Sequence, residues 1–82
     1  MKRKTNNEYH LIYGFEKACP INKGYVAINR SGRGQYGVYD IVENEAEAEH
    51  FPHRNIKKIF DFISTEDELQ DWKFHLVNRI KH

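Results

Sequence analysis

Apolar and polar positions alternate near the start of the chain. Across 8–15, EYHLIYGF, the residues Tyr9, Leu11, Tyr13 and Phe15 fall on one side. That period of two, with its aromatic content, predicts a β-strand. EKACPINKG then breaks the alternation with Pro20 and Gly24 and reads as a loop. YVAINR restarts it as a second strand, SGRG is a turn whose glycines accept positive φ at little cost, and QYGVYDIVE is a third strand. A turn over 31–34 pairs Arg30 with Gln35 and Ile28 with Gly37. Val26, Ile28, Gly37, Tyr39 and Ile41 then share the expected core face. Tyr25, Ala27, Tyr36, Val38 and Val42 share the other, which is apolar enough to need cover or a ligand.

The pattern changes after residue 43. NEAEAEHF is rich in good helix formers, Asn44 suits an N-cap, and Pro52 ends the segment, which predicts one short helix. RNIKKIFDFIS fits two templates. Ile56, Ile59, Phe60 and Ile63 have helical spacing, whereas Ile56, Phe60 and Phe62 lie on one side of a strand. Its β-branched and aromatic content, with the restart at Ser64–Thr65, favours a fourth strand. The final segment, STEDELQDWKFHLVNRIKH, predicts an amphipathic helix of four to five turns. Thr65 and Glu68 have capping-box spacing; Leu69, Trp72, Leu76 and Ile80 form a stripe; acids crowd the first turn and bases the last.

The expected fold is therefore α+β: a small, mostly antiparallel sheet of three or four strands with helices on one face. The C-terminal helix is the main cover. Residues 1–7 form a flexible basic tail and 8–82 a single domain. At 82 residues the chain buries only about 60–65% of its unfolded surface, so a second copy or a partner is a natural way to complete the core. Cys19 is the only cysteine, which fits a reducing cytoplasmic setting. No run approaches the ~18 apolar residues of a spanning helix, and no apolar stretch follows the basic start as in a signal peptide.

Net charge is only +1, but it is unevenly spread. Residues 1–39 carry seven Lys/Arg against two Asp/Glu, and 40–82 carry six against ten. The halves therefore differ in sign, which matters for steering more than the total does.

Candidate chemistry is sparse. The run RGQYGVYDI departs from the RNA-recognition-motif signature, because Gln35 separates Gly34 from Tyr36 and too few residues precede the second strand for a helix. SGRG leads into a strand and not into a helix N-terminus, so it does not form a phosphate loop. His50 and His53 beside Glu45, Glu47 and Glu49 supply too few converging ligands for zinc. Cys19 with His10 or His75 has the residue types for nucleophilic catalysis but no motif. No metal, cofactor or catalytic residue is expected.

The sequence therefore predicts a small non-catalytic binding module that occupies a protein surface, as an inhibitor or adaptor. Its size and polarity are common among accessory proteins of phages and other mobile elements. The expected contacts are Arg30 and Arg33 at the hairpin tip, Tyr25 and Tyr36 on the second sheet face, and Glu45, Glu47 and Glu49. The acidic stretches suit a basic surface on a nucleic-acid-handling protein. The alternative is nucleic-acid binding through the hairpin, with Tyr25 and Tyr36 stacking bases and Lys2, Arg3, Lys4, Arg30 and Arg33 contacting phosphates.

Overall fold

The computed structural model describes residues 8–80. Strand β1 (Glu8–Glu16) is the hub of an antiparallel five-stranded sheet. Strand β5 (Trp72–Ile80) pairs with it along its whole length, from Glu8 opposite Ile80 to Glu16 opposite Trp72. A strand has two edges, so β2 (Lys23–Ile28) and β4 (Phe51–Pro52) must share the other. Phe15, Gly14 and Tyr13 take β2, while Tyr9 and His10 take β4. Strand β3 (Tyr39–Val42) adds to β2. The 3-10 turn His53–Asn55 runs directly into helix α1 (Ile56–Ser64), and a further 3-10 turn, Asp67–Leu69, leads to β5.

Register fixes which side chains share a face. Ile12, Gly14, Val26, Ile28, Tyr39, Ile41, Trp72 and Phe74 lie on one side of the sheet. There Ile12, Val26, Tyr39, Trp72 and Phe74 pack with Phe51, Ile56, Ile63 and Leu69 as the core. Helix α1 covers this face, as expected for the α+β class, while the 3-10 turn Glu45–Glu47 lies against the other.

The two C-terminal elements differ from expectation, in opposite senses. The 55–63 segment is helical. Its Ile56, Ile59, Phe60 and Ile63 row meets the core, and Phe62, which the strand reading places on the same side as Ile56 and Phe60, is 59% exposed. The expected C-terminal helix is instead the strand β5. Thr65 does not open a helix: its hydroxyl donates to the carbonyls of Asp61 and Phe62 and closes α1. Trp72, Phe74 and Leu76 also alternate with period two, so the segment fits both periods. The strand brings Phe74 beside Trp72 in the core, with Leu76 and Ile80 left exposed. It also supplies the full-length ladder that β1 needs on its second edge. The main cover is therefore α1.

The expected short helix after Asn44 is a single 3-10 turn, Glu45–Glu47, capped by the Asn44 side chain, which accepts from the Ala46 N–H. The β2–β3 connection is longer than a four-residue turn. Ile28 pairs with Tyr39, two residues beyond the expected Gly37. The extra chain folds on itself: Asn29 accepts from the Ser31 N–H and hydroxyl, Asp40 accepts from the Gln35 N–H, and Gly37 turns the chain at φ 74°.

One part-buried polar pair, buried His10 and exposed His53, ties β1 to the start of the helical layer. His10 is 5% exposed, and one of the two imidazoles donates across 2.8 Å between His10 Nε2 and His53 Nδ1. The closest approach in the sheet is at Gly14. A Cβ there would lie 2.5 Å from the Phe74 ring and 3.1 Å from the Lys73 carbonyl oxygen. Gly14→Ala is therefore expected to destabilise the domain by about 1–3 kcal/mol in urea unfolding, with part restored when Phe74→Leu is added. Unchanged stability in the single variant would show that the β1–β5 contact is looser than described.

Candidate binding surfaces

The sheet's two faces are unequally covered. Where β3, β2, β1 and β5 lie abreast, the sheet is about 15–20 Å wide, whereas one helix is about 10 Å across. Helix α1 therefore leaves part of the core face open. Between α1 and the β2–β3 side lies an apolar groove of about 780 Å³, walled by Ile28, Tyr39, Phe51, Ile59, Phe62 and Ile63. Lys58 and Asn55 stand on its helical wall. Burial, with Glu66 nearby, pushes the Tyr39 phenol above its ordinary range and keeps it neutral. Glu49 also lines the groove, and Arg30 pairs with it at 3.2 Å.

The opposite face carries no helix. In successive rows it presents Lys23, Phe15 and Lys73; then Val42, Tyr25, Tyr13 and His75; then Leu11 and Val77; then Tyr9 and Arg79. Tyr13 and Tyr25 meet edge to face at 5.1 Å, and Phe15 stacks with His75 at 5.8 Å. These four rings meet in two pairs and keep part of their surface in water, since none of them is fully buried. The segment containing the Glu45–Glu47 turn covers the Tyr9 end. His50 stacks on Tyr9 at 4.2 Å, and Glu45 accepts two hydrogen bonds from Arg79, at 2.7 and 3.1 Å. At that end Leu11 and Ala48 are buried.

The predicted contact residues are thus divided between several places. Arg30 and Glu49 come together as an ion pair beside the groove. Tyr25 and Glu45 lie near each other on the open face, where Tyr25 adds to the lowering of the Glu45 carboxyl by Arg79. Tyr36 does not join Tyr25. The turn at Gly37 carries it to the core side, where its ring meets Trp72 at 5.9 Å. Arg33 and Glu47 are exposed. Lys2, Arg3 and Lys4 lie outside the described residues. Cys19 is exposed, His10 is engaged with His53, and His75 lies against Phe15. Among the described residues no group of three His, Cys, Asp or Glu side chains converges as a metal site. No described helix is long and apolar enough to cross a membrane.

Phe15, Tyr13, Lys23, Lys73 and His75 were missed as a surface by sequence reasoning. The alternation marks Tyr13 and Phe15 as neighbours, but Lys73 and His75 join them only once β5 is known to be a strand. Compared with known proteins, the chain matches no protein family, no curated protein and no solved structure.

The Glu45–Arg79 pair has a pH signature. The Arg79 guanidinium holds the Glu45 carboxyl below the usual carboxylate range, with Tyr25 adding to the effect. A lowered folded-state pKa contributes stability above the ordinary carboxylate range, and that contribution is lost as pH falls through the lowered value. Glu45→Gln is expected to lower the melting temperature at neutral pH, with the difference closing in acid. A difference that persists or grows in acid would assign its cause elsewhere.

Proposed function

We propose that this chain is a small non-catalytic binding module that acts by occupying a protein surface, as an inhibitor or adaptor. The observation that carries this reading is the apolar groove beside α1, with Phe62 exposed on its wall. Grooves of this width accept a helix or an extended segment of a partner, with apolar anchors supplying affinity and charged rims supplying register. Lys58 and the Arg30–Glu49 pair are the charged groups available for register here. The residues with catalytic potential are dispersed, since Cys19, His10 and His75 each have different surroundings. A chain of this size and polarity also suits an accessory protein of a phage or mobile element, acting in the cytoplasm.

Affinity capture from cell lysate tests this, with wild type, Phe62→Asp, and Arg30→Ala combined with Arg33→Ala, each at low and high salt and with nuclease. A protein retained at both salts after nuclease, and held at least tenfold more weakly by Phe62→Asp, is the expected result, since a central aromatic anchor is worth about 2 kcal/mol or more. Phe62 is exposed, so the variant should melt like wild type. Equal recovery with Phe62→Asp, or a fraction that vanishes under nuclease, would contradict the reading.

A further inference from the structure

We propose that the uncovered sheet face is a platform for single-stranded nucleic acid, separate from the groove. Three observations converge on it. First, Tyr13, Tyr25 and Phe15 occupy adjacent rows, with ring surface exposed on a rigid sheet. Bases stack on such rings whatever their identity, because each base has a π-face. Second, Phe15 is flanked within its own row by Lys23 on β2 and Lys73 on β5, both exposed. A base stacked on Phe15 would carry its backbone phosphates past one of these ammonium groups.

Third, two acids of this face are already engaged, while Glu43 stands exposed beside Tyr13, Tyr25 and Lys23. Glu45 is held by Arg79, and Asp40, at the far β3 edge, accepts from Asn29 and from the Gln35 N–H. Around Phe15 the two lysines outnumber that one carboxylate, so the charge offered to a ligand there is net cationic. The row from Tyr9 to Phe15 spans about 20 Å of strand. Duplex DNA or RNA is a poor match, because its base faces are already stacked and a flat sheet face offers nothing to enter a groove.

This site differs from a hairpin-tip site. Arg30 is paired with Glu49 beside the groove, and Tyr36 is on the core side. It also stands or falls apart from the protein-binding reading, since no groove-lining residue takes part.

Fluorescence anisotropy tests it, using labelled oligo-deoxythymidine and oligo-uridine of about twelve nucleotides across a salt series, within the site sizes of single-strand binders. The wild type should bind both, more weakly as salt rises. Lys23→Glu combined with Lys73→Glu should reduce the slope of log affinity against log salt by about 1.4, at ~0.7 per phosphate contact. Phe15→Leu, which keeps the position apolar, should weaken binding about tenfold with little change in that slope. Melting curves check folding; both lysines are exposed, so the charge variant keeps the test valid if Phe15→Leu is destabilised. Phe62→Asp should bind as wild type does. No binding at low salt, equal binding of a matching duplex, or unchanged binding in the lysine variant would each overturn the proposal. Loss of binding only on Arg30→Ala with Arg33→Ala would move the site to the hairpin.

Discussion

The β1–β5 ladder is the interaction on which the rest of the structure depends. It runs the full length of both strands and joins the two ends of the described chain. With β5 along one edge and β2 and β4 dividing the other, β1 has hydrogen-bonding partners on both sides. Most of its backbone groups can thereby pair within the sheet rather than with solvent. The arrangement also explains the side chains of β1. Ile12 reaches the core on one face and Leu11 is buried on the other, so a central strand needs apolar residues at consecutive positions. Gly14 allows the Phe74 ring to close over the strand at the same level. Pairing the first and last strands is a long-range closure, which favours slow, cooperative assembly over a locally nucleated one.

Because the C-terminal segment is a strand, only one α-helix remains to cover the sheet. Helix α1 covers one face incompletely, which leaves the apolar groove between α1 and β2–β3, while the Glu45–Glu47 turn covers only the Tyr9 end of the other. The opposite face keeps its aromatic rows and flanking lysines in contact with water. Both proposed surfaces follow from this shortage of helix, and they lie on opposite sides of a sheet too thin to bury both.

Local pattern made the first two strands, the Asn44 cap and the α+β class legible in the sequence. Around 55–64 the residues Ile56, Ile59, Phe60 and Ile63 satisfied helical spacing, and β-branched content pointed the other way; burial on the sheet decided for the helix. At the C-terminus both periods fitted, and the deciding fact was the unoccupied edge of β1, which no local window contains. The Thr65–Glu68 spacing looked like a helix start, yet Thr65 ends the preceding helix. The site was less legible for the same reason. The Arg79–Glu45 and Arg30–Glu49 pairs join distant segments, and the turn at Gly37 moved Tyr36 to the other side of the sheet. Sequence alternation identified the aromatics of β1 but not the lysine that β5 sets beside them.

The most direct test of this account is the pattern of nuclear Overhauser contacts over residues 66–80. A strand on the edge of β1 predicts strong cross-strand contacts between α-protons in alternate β1–β5 residue pairs, together with protected amides along β1. Sequential amide–amide contacts running through Trp72, Phe74 and Leu76, with no cross-strand contacts to β1, would mean a C-terminal helix. That result would cover the aromatic face and contradict both the topology and the platform built on it.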